Sequence, residues 1–190
     1  METWDERYAG GKYSSAAPHK LLVEIADRIK KPAKALDLAC GIGRNAIYLA
    51  EKGWQVTAVD RSSVGIEIAK QRAAEKAVEI DFRVADLEEL GNGEFAIEEN
   101  TYNLICDFYY LQRDLFPTMK AGVKTGGIII STIHIYGDAE EEGEFLLKEG
   151  ELHEFFRNFE ILHYHETSRT DEDAGEHHRR TAEIIAKKIN

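Results

Sequence analysis

The chain has 190 residues, 43% of them hydrophobic and 31% charged, which is the composition of an ordinary globular domain. Its formal net charge of −11 at pH 7 argues against nucleic acid or an anionic membrane surface as a partner, because both are bound by basic faces. No segment approaches the roughly 20 apolar residues needed to span a bilayer, and the charged N-terminus lacks the apolar stretch of a signal peptide. We therefore expect one cytoplasmic domain, whose oligomeric state the sequence leaves open.

Apolar periodicity and turn residues divide the chain into alternating helices and strands. Pro18 favours a helix start and Pro32 a helix end, Gly53 is placed to end a second helix, and Ser62 or Ser63 to cap a third. In chain order we predict a helix at 18–30, a strand at 35–39, a helix at 44–52, a strand at 54–59, a helix from 62 or 63 to about 76, strands at 79–84 and 102–107, a helix at about 111–120 and a strand at 128–133.

This alternation predicts a parallel sheet covered by helices on both faces. The end of the chain breaks the alternation, because 159–166 and 178–188 are both predicted strands and only the polar turn 170–175 separates them. We expect a C-terminal hairpin that places one antiparallel strand in a mostly parallel sheet.

Glycines and acidic residues occur where the first three predicted strands end. Cys40-Gly41-Ile42-Gly43, here called the glycine loop, follows the first strand, Asp60 ends the second and Asp86 follows the third. Ligands of open α/β sheets bind at these carboxyl ends. Glycine lets the backbone approach a ligand closely. The Asp60 carboxylate is suited to accept hydrogen bonds from two ribose hydroxyls, and the Asp86 carboxylate is suited to accept one from an adenine amino group.

The spacing of the glycine loop leaves two kinds of cofactor open. Gly41-x-Gly43-x-x-Ala46, with Asp60 14 residues later, also fits a dinucleotide site. Asp37 lies inside the strand that precedes the glycines, and it favours a ligand with an ammonium group, such as the methionine part of S-adenosylmethionine. The alternatives are a nicotinamide-dependent reductase and a non-catalytic protein that binds an adenosyl ligand.

The segment Asp37-Leu38-Ala39-Cys40-Gly41-Ile42-Gly43-Arg44-Asn45 resembles motif I of class I S-adenosylmethionine-dependent methyltransferases, and Val59-Asp60, Ala85-Asp86-Leu87 and the 102–107 strand resemble the later motifs. The resemblance implies a Rossmann-like α/β fold with a seven-stranded, mostly parallel sheet, and S-adenosyl-L-methionine as the cofactor. The cofactor-binding residues that it implies are Asp37, Ala39, Cys40, Gly41, Gly43, Asn45, Asp60, Arg61, Asp86, Leu87, Asp107 and Tyr8.

A narrower resemblance connects the chain to the tellurite-resistance (TehB-like) methyltransferases and to related thiol methyltransferases. The similar segments are Gly43-Arg44-Asn45, 145–152, Arg169-Thr170-Asp171 and 182–188. This implies a small-molecule acceptor, either a thiol or a chalcogen oxyanion such as tellurite. Ser168 and Glu176 stand where that family has a histidine and an arginine. The sequence therefore does not favour tellurite over thiols as the acceptor.

Methyl transfer to such an acceptor needs alignment and exclusion of water, together with either deprotonation of the nucleophile or a nearby cation that holds its anionic form. Arg169 and Arg180, near the ends of the terminal hairpin, are the candidates for that cation. Tyr109 and Tyr110 follow the fourth strand, and we expect one of them to contact the cofactor and the other to line the pocket, with Tyr109 as the catalytic candidate. The aromatic N-terminal segment 4–8 is predicted to close the site as a lid, with Arg7 facing an anionic group.

These assignments divide a single domain of residues 1–190 into three parts. Residues 1–32 form the N-terminal lid and helix, 33–135 the cofactor-binding half, and 136–190 the substrate-side half with the terminal hairpin.

A metal site is not expected. His163 and His165 share one strand face and His177-His178 lies on the partner strand, but carboxylates and cysteines at ligand spacing are missing around them. The two cysteines, Cys40 and Cys106, end apolar runs, which is typical of buried thiols.

Overall fold

The computed structural model describes residues 2–29, 32–89, 95–136, 145–167 and 180–190. The chain divides into two compact units, Met1–Ala96 and Ile97–Asn190. Among the described helices, none is both long and apolar enough to cross a membrane.

The first unit alternates helices with three parallel strands. Its elements are α1 (Trp4–Ala9), α2 (Lys20–Ala26), β1 (Lys34–Leu38), α3 (Arg44–Glu51), β2 (Gln55–Asp60), α4 (Ser63–Glu75), β3 (Asp81–Val84) and a 3₁₀ helix at Leu87–Glu89. Strand β2 pairs in parallel with β1 on one side and with β3 on the other. The last four residues of β1 are all buried, as is typical of a strand covered on both faces.

The second unit contains the remaining strands and the terminal hairpin. Its elements are β4 (Tyr102–Phe108), α5 (Leu115–Gly122), β5 (Val123–His134), α6 (Glu151–Phe155), β6 (Glu160–Glu166) and β7 (Thr181–Lys187). Strand β4 is parallel to β5, whereas β7 is antiparallel to both β5 and β6. The predicted hairpin with its one antiparallel strand is therefore confirmed.

The seven strands have the order β3-β2-β1-β4-β5-β7-β6. Strand order reverses after β1, so β1 carries the position where open α/β sheets bind their ligands. The predicted fold class, a seven-stranded and mostly parallel sheet with one antiparallel strand, is confirmed. The division into one domain with three parts stays a prediction.

Helix α4 shows how closely local sequence signals set an element's bounds. Ser62 caps it, with the Gly65 amide donating to Ser62 Oγ at 2.9 Å, which satisfies one of the free amides of the first turn. Ile66, Ala69 and Ala73 form its buried face, at the spacing of an amphipathic helix. Ile68, which its apolar character would also place on the inner face, is only half-buried.

Two predicted helices are shorter in the structure. Helix α2 ends at Ala26 instead of residue 30, because the amides of Arg28 and Ile29 bond three residues back, to Ile25 and Ala26, in turn-like geometry. Helix α5 begins at Leu115 instead of about 111. Its Pro117 therefore lies in the first turn, where a missing amide proton costs no helical hydrogen bond.

Helix α1 was not predicted, although its sequence carries a capping box. Thr3 Oγ1 accepts from the Glu6 amide at 3.2 Å, and the Glu6 carboxylate accepts from the Thr3 amide at 2.7 Å. The T-x-x-E pattern is a helix-start signal. Because α1 has no buried residue, its sequence carries no apolar periodicity from which a helix could be predicted.

Candidate functional site

The turn between β1 and α3 holds three residues in left-handed backbone conformation. Gly41 and Gly43 have φ of 54° and 78°, and Ala39, just before the glycine loop, has φ of 50°. For alanine this conformation costs about 1–2 kcal/mol, and such strain is concentrated at functional sites. The Gly43 amide donates to the Cys40 carbonyl at 2.9 Å, which closes the turn.

Asp60, at the end of β2, joins the glycine loop to the start of α4 by two hydrogen bonds. Its Oδ2 accepts from the Gly41 amide at 2.7 Å and its Oδ1 from the Ser62 amide at 2.8 Å. Burial raises the pKa of Asp60, although both amides oppose the rise. Each carboxylate oxygen retains the capacity for a second hydrogen bond, so Asp60 both shapes the loop and can accept from a ligand.

Asp37 is a buried carboxyl group in β1 with one oxygen atom left without a partner. Its side chain is 1% exposed, and its Oδ2 has no hydrogen-bond partner. Burial raises the pKa of Asp37 to about 7, against the lowering effects of the Ala46 amide and the Arg44 charge. An unsatisfied buried carboxyl oxygen in a native structure calls for an explanation, and a cationic ligand at the glycine loop supplies one.

Asp86 and Arg61, predicted to bind the cofactor, form an ion pair beside the 3₁₀ helix. Arg61 Nη2 lies 3.1 Å from Asp86 Oδ2, and Asp86 Oδ1 accepts from the Glu88 amide at 3.0 Å. The Arg61 side chain is about half exposed, whereas Leu87 is buried. The ends of β1, β2 and β3 therefore carry Asp37, Asp60 and Asp86, each near the position that the sequence predicts.

Asn45 and Cys40, both predicted to bind the cofactor, make contacts within the protein. The buried Asn45 accepts from the His19 backbone amide at 2.9 Å through its Oδ1, which ties α3 to the start of α2. The Cys40 thiol lies 3.8 Å from the Gly41 carbonyl, and burial raises its pKa. Their role in cofactor binding stays a prediction.

Tyr8 packs directly against the glycine loop. A Cβ atom added to Gly41 would lie 2.6 Å from the Tyr8 hydroxyl oxygen, and one added to Gly65 would lie 3.0 Å from its ring. Trp4 stacks on Tyr8 with 5.7 Å between ring centroids. Arg7 lies 4.7 Å over the Trp4 ring and 3.7 Å from Glu2. The aromatic N-terminal segment thus covers the loop, with Arg7 facing a carboxylate of its own segment.

In the second unit, Asp107 lies near the end of β4 and Tyr109 directly follows the strand. Asp107 is 1% exposed, and Ser131 Oγ donates to its Oδ2 at 3.4 Å. Tyr109 has φ of 66°, its amide donates to the Thr132 carbonyl at 2.7 Å, and its ring stacks on His134 at 5.1 Å. This strained backbone aims an aromatic ring along the end of β5.

Arg180, predicted to hold the acceptor, is engaged by its own unit. It donates to the carbonyls of Thr167 at 2.8 Å and Tyr136 at 3.3 Å, and to Glu149 Oε1 at 2.7 Å. Arg169 lies outside the described residues, together with Ser168, Glu176, His177 and His178.

Within the described ranges, no group of three or more His, Cys, Asp or Glu side chains is arranged to hold a metal ion. His163 Nε2 lies 3.6 Å from Glu183 Oε2, which is a two-residue contact. The expectation that no metal takes part stays a prediction.

Comparison with known proteins gives the family. The family described as "Tellurite resistance protein TehB" matches residues 1–187. The chain belongs to this family. It is 29% identical over 197 aligned residues to a protein of Haemophilus influenzae named as a probable S-adenosyl-L-methionine-dependent methyltransferase TehB, covering 96% of this chain and 66% of that protein.

Solved structures agree with the family assignment. The crystal structure of TehB from Haemophilus influenzae superimposes with a TM-score of 0.77 at 27% identity, covering 97% of this chain and 67% of that one. A geranyl diphosphate C-methyltransferase from Streptomyces coelicolor, solved with S-adenosyl-L-homocysteine, has a TM-score of 0.67 at 13% identity, over 88% and 79% of the two chains. The second likeness shows the shared fold alone. The chain spans about two thirds of the length of its TehB relatives.

Proposed function

We propose that this chain is an S-adenosylmethionine-dependent methyltransferase that acts on a small-molecule acceptor. The observation that carries the proposal is Asp37, a buried carboxyl group with one unpartnered oxygen directly before the glycine loop. A methionine ammonium group would satisfy that oxygen and favour its ionised form. The named activity of the TehB relative supports the same reading.

The other strand-end acids fit the rest of the cofactor. Asp60 has a free acceptor capacity on each oxygen for ribose hydroxyls. Asp86 is placed at the end of β3, where its pair with Arg61 holds it in position. When bound, S-adenosylmethionine supplies a methyl group on a sulfonium, which is already an activated leaving group.

The protein's own contribution is binding and orientation. Asp60 holds the glycine loop through the Gly41 amide, and Tyr8 covers the loop, which excludes water from the site. If the acceptor is an anion, it is already deprotonated and the chain needs no strong base. Alignment of the reacting atoms then supplies most of the rate increase.

A cytoplasmic location is part of this proposal.

Replacing Asp60 tests the ribose contact. Asp60→Ala removes the acceptor of the Gly41 and Ser62 amides as well as the proposed acceptor of the ribose hydroxyls, so we expect binding of S-adenosylhomocysteine to weaken by on the order of 1–3 kcal/mol or more. Calorimetric titration measures the affinity. Asp81→Ala, at an exposed carboxylate that begins β3, is the control and should bind as the unmodified protein does. Equal affinity in both variants would remove Asp60 from the site.

We propose a small, soft, anionic acceptor, either a thiolate or a chalcogen oxyanion such as tellurite or selenite. The net charge of −11 disfavours nucleic acid. Arg169 remains the first candidate for holding the acceptor, since a guanidinium suits oxyanions. Arg180 is second, because Glu149 and two carbonyls already occupy its donors.

A screen of acceptors tests this assignment. Formation of S-adenosylhomocysteine would be followed with a panel of thiols, tellurite, selenite and small acids. We expect Arg169→Ala to lower turnover of the accepted substrates at least tenfold, the effect of losing one charged hydrogen bond. Arg157→Ala, at an exposed arginine after α6, is the matched control. If Arg169→Ala keeps the full rate on every accepted substrate, Arg169 is a surface charge.

A further inference from the structure

Helix α1 is attached to the start of α4 by one carboxylate. Asp5 Oδ1 accepts from Ser62 Oγ at 2.5 Å and from the Val64 amide at 3.3 Å, while Oδ2 accepts from Ser63 Oγ at 3.4 Å. The hydrogen bond from Ser62 is the main reason that the pKa of Asp5 is lowered. An ionised carboxylate is also stabilised by the positive end of a helix. We call these hydrogen bonds the Asp5 contact.

The same serine belongs to the cofactor site. Ser62 donates its hydroxyl to Asp5 and its backbone amide to Asp60 Oδ1. Ser62 therefore binds α1 through its side chain and, through its backbone, binds Asp60, the residue predicted to contact the ribose. Displacement of α1 would free the Ser62 hydroxyl, which also caps α4 through the Gly65 amide.

Tyr8 lies one turn after Asp5, so the Asp5 contact determines where Tyr8 packs. Its hydroxyl and ring lie against Gly41 and Gly65, so a side chain at either glycine would displace the Tyr8 ring. Both glycines are in place to admit this ring. The far end of the segment is held as well, since Arg72 Nη2 donates to the Ser14 carbonyl at 3.0 Å.

Helix α1 is short and exposed. It is six residues long and contains no buried residue, and an isolated helix of this length is unstable in water. Its docking therefore depends on the Asp5 contact, on Tyr8 and on the Arg72 bond.

We propose that Asp5 is a positioning residue of the cofactor site: through Ser62 it holds α1 so that Tyr8 covers the glycine loop. The inference rests on the proposed function, because it assigns Asp5 an effect on S-adenosylmethionine binding. Asp5 is far in sequence from both the glycine loop and Asp60, and it acts on both through the start of α4.

The first arm of the test measures the docking of α1 without any cofactor. Asp5→Asn keeps the shape of the side chain and removes its charge. We expect the amides of residues 4–10 to exchange with deuterium at least roughly tenfold faster in this variant, the effect of losing hydrogen bonds to an ionised acceptor. Glu2→Gln is the matched control, because Glu2 lies in the same segment and pairs with Arg7 and Lys12 of that segment. Unchanged exchange in Asp5→Asn would overturn the proposal.

The second arm measures cofactor binding by calorimetric titration with S-adenosylhomocysteine. We expect the Kd of Asp5→Asn to rise roughly tenfold and that of Glu2→Gln to stay within twofold of the unmodified protein. Faster exchange with unchanged or tighter binding would overturn the positioning role, since α1 would then be uncoupled from the site or would block it. If the unmodified protein fails to bind, the proposed function fails and the positioning role fails with it, while the exchange arm still decides whether Asp5 holds α1.

Discussion

Gly43→Ala is expected to lower the free energy of unfolding by about 2–5 kcal/mol, combining left-handed strain with overpacking. Gly43 has φ of 78°, and an added Cβ would lie 2.8 Å from the Cβ of Ala69 in α4 and 3.5 Å from its Cα. Neither atom belongs to a flexible side chain, so the start of α3 and α4 must move apart. Urea denaturation followed by circular dichroism measures the loss.

Gly126→Ala is the matched control for this substitution. Gly126 has φ of 80°, but nothing lies within 4 Å of its added Cβ. It therefore carries the backbone strain alone, about 1–2 kcal/mol. The difference between the two variants isolates the close approach of α3 to α4. Equal losses would show that the Gly43 position has room for a methyl group.

Asp37 is expected to make cofactor binding depend on pH. Its pKa is raised to about 7, mainly by burial, with Asp60 adding to the rise and Arg44 opposing it. A carboxylate that pairs with the cofactor's ammonium group must be ionised, so the apparent Kd for S-adenosylhomocysteine should rise roughly tenfold between pH 8 and pH 6, where about one tenth of the groups are ionised. Titration at pH 6 in two buffers of different ionisation enthalpy should show nearly one proton released per molecule bound.

Asp37→Asn should remove this pH dependence and weaken binding at pH 8 by about 1.5–3 kcal/mol. The cofactor-free protein should respond in the opposite direction. A raised carboxyl pKa means that the folded state holds a proton that the unfolded state has released, so stability falls as pH rises from about 4 to about 7 and is then level. Removing the charge should recover up to about 4 kcal/mol at pH 8, seen as a higher Tm. A flat pH profile for the unmodified protein would contradict the role of Asp37.

The fold was predictable where burial and capping act locally. The short, mostly apolar strand β1 and the Ser62 cap of α4 need only neighbouring residues to be recognised. Strand β5 begins at Val123. The sequence predicts its start only at 128, because Gly126 and Gly127 resemble a turn. In the structure they lie in the strand, next to an irregularity in the register between β4 and β5, and a bulge of this kind is where a strand accepts glycine.

The site was predictable in its strand-end acids and not in its long-range contacts. Asp37 and Asp60 follow from the rule that parallel strands bind ligands at their carboxyl ends. The partner of Asn45 lies 26 residues away and the carboxylate partner of Arg180 lies 31 residues away, and Asp5 is 57 residues from Ser62. Such contacts depend on how the helices and strands pack together, so no local sequence pattern predicts them.

The central claim is that the glycine loop and its acids bind S-adenosylmethionine and not a dinucleotide. Calorimetric titration of the unmodified protein at pH 8 with S-adenosylhomocysteine, and separately with NADH, tests it most directly. We expect saturable binding of S-adenosylhomocysteine at one molecule per chain and no binding heat from NADH. Tight binding of NADH without any response to S-adenosylhomocysteine would contradict the claim.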